Sequence, residues 1–258
     1  MSKKVEDLLV LENNHLNDQH FILKLQSQAK LPEILPGQFV NVRVDGSKET
    51  FLRRPFSIHD VDFKLNTFSL LIKKVGKGTE SLAYSKPGES LSVVYPLGNS
   101  FGLEHGRKCL LVGGGCGVAP LLYLARCLKE NGNQLTILIG GKSSCDIMQN
   151  NEYDELGEVL FMTEDGSLGE KGLVTAHSFF GDNLSSFSKI YTCGPEPMMK
   201  AVTRLASTKD IPCEVSLENT MACGFGVCLC CVTETDKGRQ CVCTVGPVFN
   251  SKHLQWQI

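Results

Sequence analysis

Two rhythms of apolar residues divide the chain. Up to Tyr95, short runs rich in β-branched and aromatic residues recur: HFILKLQS, QFVNVRV, TFLRRPFSI, TFSLLIKKV and ESLSVVY. Turn signals such as Leu35-Pro36-Gly37, Asp45-Gly46 and Lys86-Pro87-Gly88 separate them. Short strands at this spacing predict a small antiparallel barrel, interrupted by one short helix near Glu80 to Tyr84. From Arg107 the rhythm changes. CLLVGG, QLTILIGG, EVLFMTED, KIYTCG and PCEVSLE read as strands. PLLYLARCLKENG reads as a helix ending at Gly132, GLVTAHSFF as a second helix, and PMMKAVTRLAS, opened by Pro197, as a third. Continuous apolar strands alternating with helices predict a parallel, doubly wound sheet. The tail from Asn219 is rich in Cys and Gly and reads as too irregular for a sheet strand. The expected fold class is therefore α/β plus all-β. The expected units are a barrel over 1–101, a parallel-sheet domain over 102–218 and a small unit over 219–258, the first boundary falling near Gly98 to Gly106.

Composition narrows the function classes. Lys plus Arg is 26 and Asp plus Glu is 28 in 258 residues, a net charge of −2. Such a chain has no electrostatic footprint for nucleic acid or an anionic membrane. The most apolar stretch, Cys109 to Leu128, is broken by glycines, Pro120 and Arg126, so no transmembrane helix is expected. The start, MSKKVEDLLVLENN, is too acidic and too short in apolar length for a signal peptide. A cytoplasmic location is the expectation. Of 12 cysteines, six (Cys223, Cys228, Cys230, Cys231, Cys241 and Cys243) crowd into the tail. In a reducing compartment, clustered thiols read as metal ligands or redox groups.

The spacing Cys223-x4-Cys228-x2-Cys231 with a distant fourth Cys is that of plant-type [2Fe–2S] clusters. Each iron needs two thiolates, and Gly224 and Gly226 let the loop wrap the cluster and turn backbone N–H groups toward sulfur. The alternative is a zinc site, whose ligand pairs are usually two to four residues apart. The register selects Cys231 over its neighbour Cys230. Cys241 and Cys243 both compete for the fourth position, on one face of an expected strand Gln240 to Val245.

Three other segments carry candidate chemistry. Arg53-Arg54-Pro55-Phe56-Ser57 ends a barrel strand, where an Arg beside a Ser and an aromatic can bind pyrophosphate and face a flat ring. Downstream, Lys77-Gly78-Thr79 precedes the short helix, with Thr79 as its expected N-cap. Leu111-Val112-Gly113-Gly114-Gly115-Cys116-Gly117 joins an apolar strand to a helix with Pro120 expected at its first position, the context of a dinucleotide-binding glycine loop. The acidic residue expected ~20 residues on is not clean, so the choice of NAD over NADP stays open. Cys193-Gly194-Pro195-Glu196-Pro197-Met198 lies at the carboxyl end of a parallel strand, where ligands bind, although on the loop alone Cys193 reads as a core thiol.

Together these residues resemble the ferredoxin reductase superfamily over nearly the whole chain. The resemblance implies that Arg54 holds the pyrophosphate of FAD, that Ser57 sits near the flavin N5, and that Pro55, Phe56, Leu71, Ile72, Lys73, Gly78 and Thr79 complete the flavin site. It implies that Gly113, Gly114, Gly115, Gly117, Cys193 and Gly194 serve the pyridine nucleotide. Within the superfamily the chain is most similar to electron-transfer subunits of B-type, NAD-linked dihydroorotate dehydrogenases. The matching stretches are Arg54-Pro55-Phe56-Ser57, Glu164-Asp165-Gly166-Ser167-x-Gly169, Ser216-Leu217-Glu218 with Met221-Ala222-Cys223-Gly224, and Val242-Cys243-x-x-Gly246-Pro247-Val248-Phe249. That ending places the fourth ligand at Cys243, giving Cys223, Cys228, Cys231 and Cys243. Cys230 and Cys116 depart from the family pattern.

The implied activity is electron transfer from a dihydroorotate-oxidising, FMN-containing catalytic subunit, through the [2Fe–2S] cluster and FAD, to NAD⁺ in pyrimidine biosynthesis. The implied assembly is a heterotetramer of two plus two, and no residue of this chain is expected to be catalytic toward dihydroorotate. Small subunits of NADH-dependent ferredoxin:NADP oxidoreductases and hydrogenases share these parts. In the ferredoxin:NADP type an Asp stands where this chain has Cys223. An iron–sulfur redox sensor on a vestigial flavin fold is the alternative from another class, and the paired phosphate-binding elements at 54–57 and 78–79 argue against it.

Overall fold

The computed structural model describes residues 3–45, 49–148, 150–181 and 183–256. The first unit is an all-antiparallel sheet of seven strands: β1 (Lys4–His15), β2 (His20–Gln26), β3 (Phe39–Val42), β4 (Arg54–Ser57), β5 (Asp60–Asp62), β6 (Thr67–Lys73) and β7 (Ser90–Leu97). Their order is β4-β3-β7-β1-β2-β6-β5, with helix α1 (Lys77–Ala83) between β6 and β7. The sheet curls round an interior of alternating apolar positions, Leu8, Val10, Phe21, Leu23, Leu25, Val40, Val42, Phe68, Leu70 and Ile72 among them. β1 and β5 were not among the expected runs. β1 mixes charged residues and Asn13-Asn14 into its apolar positions, which lowers its strand propensity, and its pairing with β2 and β7 overrides that. Of the expected Asp45-Gly46 turn, Gly46 lies outside the described residues.

The second unit is a parallel sheet built from β8 (Lys108–Gly114), β9 (Gln134–Gly141), β10 (Glu158–Thr163), β11 (Glu170–Lys171), β12 (Lys189–Cys193) and β13 (Cys213–Ser216). Helices α2 (Leu121–Glu130), α3 (Asn150–Asp154) and α4 (Glu196–Thr208) cover it. One face packs Leu111, Ile137 and Tyr191 against α2, and the other packs Leu110, Val112 and Ile190 against α4. Burial on both faces explains the unbroken apolar runs.

The structure corrects five local expectations. GLVTAHSFF is not an α-helix but two 3₁₀ turns, Val174–Ala176 and Ser178–Phe180, broken at His177, whose ψ of 135° is extended. Thr79 is not the N-cap: Gly76 occupies that position, and the Thr79 hydroxyl, one turn inside, donates to the Gly76 carbonyl and accepts from the Val75 and Gly76 N–H groups. Pro120 precedes the first residue of α2, behind a 3₁₀ turn at Gly115–Val118. The tail is not strandless. It forms a hairpin, β14 (Val232–Thr235) and β15 (Gly238–Cys241), and then β16 (Val248–Asn250), which adds antiparallel to β13 at the sheet edge. β15 stops at Cys241, so Cys243 sits in the following turn rather than on the expected strand to Val245.

The barrel and the parallel sheet are joined through α2. The Tyr123 hydroxyl donates to the Ile34 carbonyl at 3.0 Å, the His59 ring meets the Ala119 carbonyl at 2.7 Å, and Arg126 pairs with Asp60 at 3.2 Å. The tail shares a core with both units: Val242, Cys243 and Phe249 pack with Phe39, Val94 and Leu97 of the barrel and with Val215 of the sheet.

Candidate functional site

At the barrel end, Arg54 and the start of α1 come together. A side chain at Gly78 would stand 3.1 Å from Arg54 Nε and 3.3 Å from Thr50, so glycine keeps this corner clear for the guanidinium. Arg54 donates from Nη1 to the Leu52 carbonyl at 2.8 Å, and its remaining N–H groups have no partner among the described residues. Arg53 is used differently: it donates to the Ser92 carbonyl at 2.6 Å and the Ser92 hydroxyl at 3.0 Å, which ties it into the barrel. Pro55, Phe56 and Ser57 stay half-buried along β4, paired with β3. A half-open guanidinium beside a glycine-lined corner suits a pyrophosphate, and a half-buried edge strand beside it suits a flat ring.

A cavity of about 480 Å³ runs along the carboxyl ends of β8, β9, β10 and β12. Gly114, Gly115 and Gly117 form one wall, Gly194 and Met198 another, and Lys73 of β6 reaches in from the barrel. Gly113 does not line it, because Val118 and Leu121 cover its outer side. A side chain at Gly117 would stand 2.5 Å from the Cys193 carbonyl, so the loop can approach β12 only as glycine. Leu71 is buried beneath, Ile72 turns into the barrel core, and the Cys116 thiol points to the Leu71 carbonyl at 3.8 Å, bringing the glycine loop against β6. Enclosure by protein pushes the Cys116 thiol up to about 12. Cys193 itself is fully buried and outside the lining, its thiol raised well above the ordinary range by burial.

Three acidic groups approach the cavity wall. Asp146 accepts from the Lys142 and Ser143 N–H groups, each at 3.2 Å, which fixes the turn after β9. Glu164 lines the cavity and its carboxylate has no partner among the described residues. Glu218 also lines it. Its carboxyl is open to the cleft but enclosed by protein elsewhere, and this enclosure raises its pKa. Glu164 and Glu218 belong to quoted sequence segments, yet no spacing rule singled them out as cavity groups.

The cysteine loop is ordered by bonds from nitrogen to sulfur. The Phe225 N–H donates to Cys223 Sγ at 3.3 Å, the Gly226 N–H to Cys243 Sγ at 3.1 Å and the Cys243 N–H to Cys231 Sγ at 3.4 Å. Gly224 and Gly226 adopt φ of 76° and 80°, which turns these N–H groups inward. Cys223, Cys231 and Cys243 each accept a backbone N–H at sulfur. A two-iron cluster takes two thiolates per iron and is held by N–H groups turned onto its sulfurs, which suits this loop. The Phe225 N–H, first among several loop N–H groups, holds Cys223 down to about 6. Burial pushes Cys243 up to about 12. Cys241 reaches Cys231 but receives no loop N–H, and Cys230 is exposed. Among the described residues no three His, Cys, Asp or Glu side chains converge as they would on a single metal ion.

A curled antiparallel barrel carrying an Arg-Pro-Phe-Ser strand, docked on a doubly wound sheet with a glycine-walled cleft at its strand ends, defines an oxidoreductase of the ferredoxin reductase-like fold. Residues 10–101 match the oxidoreductase FAD-binding domain, 111–204 the oxidoreductase NAD-binding domain, and 218–255 the iron–sulfur cluster binding domain of dihydroorotate dehydrogenase B. The chain is 38 % identical over 256 residues to the dihydroorotate dehydrogenase B (NAD(+)) electron transfer subunit of Shouchella clausii, covering 96 % of this chain and 97 % of that protein. The subunit from Fusobacterium nucleatum is 36 % identical, covering 98 % and 99 %. The chain belongs to the family of dihydroorotate dehydrogenase B electron transfer subunits. A solved NADH-dependent reduced ferredoxin-NADP oxidoreductase structure superposes with a TM-score of 0.87 at 31 % identity, covering 96 % of this chain and 90 % of that one. The ferredoxin reductase of carbazole 1,9a-dioxygenase, at 22 % identity and a TM-score of 0.71, covering 82 % and 68 %, shares the fold.

Proposed function

We propose that this chain passes electrons between a dihydroorotate-oxidising partner subunit and NAD⁺ in pyrimidine biosynthesis, as a cytoplasmic subunit of a two-plus-two heterotetramer whose partner carries FMN. The observation that carries the proposal is that the three candidate sites adjoin one another. Cys116 of the nucleotide cleft touches Leu71 of the flavin-side strand, and the cysteine loop rests on β3, the strand paired with Arg54–Ser57. Family membership and the three domain matches support it. No helix among the described residues is long and apolar enough to cross a membrane.

The division into units at 1–101, 102–218 and 219–258 is part of the proposal. Arg54 holds the FAD pyrophosphate at the Gly78–Thr79 corner, while Pro55, Phe56 and Ser57 face the ring and Leu71, Ile72 and Lys73 back it. Gly114, Gly115, Gly117 and Gly194 let the nucleotide backbone approach, with Gly113 behind them, and Cys193 shapes the floor from beneath. Glu164 accepts from ribose hydroxyls, which favours NAD over a 2′-phosphorylated nucleotide. Cys223, Cys228, Cys231 and Cys243 ligate the cluster. The flavin supplies the exchange between single electrons and hydride pairs that neither an iron–sulfur cluster nor nicotinamide performs alone.

The catalytic partner docks over the cluster. Phe225, Val227, Leu229 and Val245, between 42 % and 80 % exposed, surround the exposed Cys228 and Cys230. An apolar rim on a cofactor-bearing loop suits a protein interface. The test is reconstitution. The isolated chain is expected to oxidise NADH with an artificial acceptor and to leave dihydroorotate untouched, and addition of the catalytic subunit is expected to yield dihydroorotate-dependent NAD⁺ reduction. NAD⁺ reduction from dihydroorotate by the lone chain sinks the two-subunit assignment, and no activity with any such partner favours the ferredoxin-type alternative.

A further inference from the structure

Between the flavin-side strand and the cysteine loop lies one buried amide. Asn41 is central in β3, is 1 % exposed and pairs in register with Pro55 of β4. Its side chain leaves the barrel, whose interior takes the flanking Val40 and Val42. Asn41 Nδ2 donates to the main-chain carbonyl of Cys223 at 3.4 Å. It fills the hollow that a side chain at position 224 would occupy, and Gly224 with φ of 76° closes over it. The Asn41 carbonyl accepts from Arg53, the neighbour of Arg54, at 3.3 Å. One residue thus touches both the segment assigned to the flavin and the residue that carries the first cluster ligand.

The amide is also incompletely satisfied. Asn41 Oδ1 is buried with no hydrogen-bond partner. Buried polar atoms without partners are rare because they are destabilising, so a retained one calls for an explanation. An apolar residue of the same shape, such as Leu, would avoid the orphan and keep the packing. What it would lose is the N–H directed at Cys223.

We propose that Asn41 is a positioning residue for electron transfer: through its N–H on the Cys223 main-chain carbonyl it fixes the start of the cysteine loop against β3. This rests on the cluster assignment above. The Phe225 and Gly226 N–H groups that this loop turns onto sulfur stabilise the added negative charge of a reduced cluster, so letting the loop drift lowers the reduction potential. Loosening the loop lengthens the route from flavin to cluster.

Asn41→Leu and Asn41→Ser, each purified with its cofactors, test this. The readouts are iron and FAD content, the electron paramagnetic resonance spectrum and midpoint potential of the reduced cluster, and the rate at which NADH bleaches the cluster absorbance. NADH–ferricyanide activity reports the flavin alone. The expected result is unchanged FAD content and ferricyanide activity, a more negative midpoint potential, and cluster bleaching slowed by about tenfold or more. Iron lost from both variants with FAD retained also supports the role, because Asn41 is then what holds the loop. Full iron with unchanged resonance, potential and bleaching overturns it, and so does a lowered melting temperature as the sole change. Simultaneous loss of iron and FAD assigns Asn41 to the core and overturns it as well. A wild-type protein with no cluster signal at all fails separately, since it removes the cluster assignment and not the role of Asn41.

Discussion

The nucleotide cleft is walled by the ends of four strands and a helix, whereas the cysteine loop between Met221 and Cys231 contains no helix or strand. The cleft is shaped by packing: Gly117 and Gly194 lie against neighbouring backbone, and the strands beneath are buried on both faces. The loop has few apolar anchors of its own and exposes Phe225, Val227 and Leu229. Its order comes from N–H groups turned onto sulfur. A site for an exchangeable nucleotide must be ready before the ligand arrives, and can be built from packing. A site for a permanent metal cluster can leave part of its folding free energy to the metal.

Substitutions at the two sites should separate these modes of construction. The largest effect is expected for Cys228→Ser, which removes one of the four proposed cluster ligands. Iron and partner-dependent activity should be lost while FAD stays bound, and Cys230→Ser or Cys241→Ser should keep iron at two per chain, as measured by iron assay and visible spectrum. A normal cluster in Cys228→Ser, or a lost one in Cys230→Ser, would redraw the ligand set. Gly117→Ala comes next. Its methyl group meets the Cys193 carbonyl, so the loop must shift by a strain of about 1–3 kcal/mol, read as a KM for NADH raised by roughly 5- to 150-fold with an undisturbed cluster spectrum. An unaltered KM would mean that this glycine does not shape the nucleotide wall.

Arg54→Ala should weaken FAD by about 1.5–3 kcal/mol through loss of a charge-assisted contact, measured as flavin retained on dialysis. Full retention would remove Arg54 from the flavin site. The smallest effect belongs to Glu218→Gln. Enclosure raises the Glu218 pKa in the folded state, so the folded chain holds that proton more tightly than the unfolded chain does. The resulting stabilisation is complete below the ordinary carboxylate range and is lost as pH rises through the raised pKa. The nucleotide-free variant should therefore melt slightly higher than wild type above that window and converge with it in acid. Parallel melting curves at every pH would show that Glu218 is well solvated in the cleft.

The parts of these sites that could be read from the chain are those that local chemistry dictates. The Cys-x4-Cys-x2-Cys spacing, the glycine run after an apolar strand and the alternation of strand and helix each follow from short-range geometry. What stayed hidden depends on contacts distant in sequence. Asn41 looks like an ordinary strand residue until Cys223, 182 positions away, closes over it. By contrast, Cys193 is legible as a core thiol from its loop, and its side chain does pack in the core beside α2; only the resemblance assigns it to the nucleotide. Gly172 to Gly181 has helix-like periodicity, but its β-branched Val174-Thr175 pair and flanking glycines yield separate turns. β16 is too short to announce itself and exists because β13 offers a free edge.

That last strand bears on how the protein can be taken apart. Phe249 and Val248 return from the cysteine-bearing segment to zip onto Val215 and Ser216, and Asn99 grips the same return from the barrel side, donating to the Val248 carbonyl at 2.8 Å and accepting from its N–H at 3.0 Å. The metal-bearing segment is thus sewn into its neighbours rather than strung after them. Cutting the chain near residue 219 would bare the β13 backbone as a sticky edge and invite association between copies. An engineer seeking a flavin reductase without the iron would do better to keep the segment and replace its thiols.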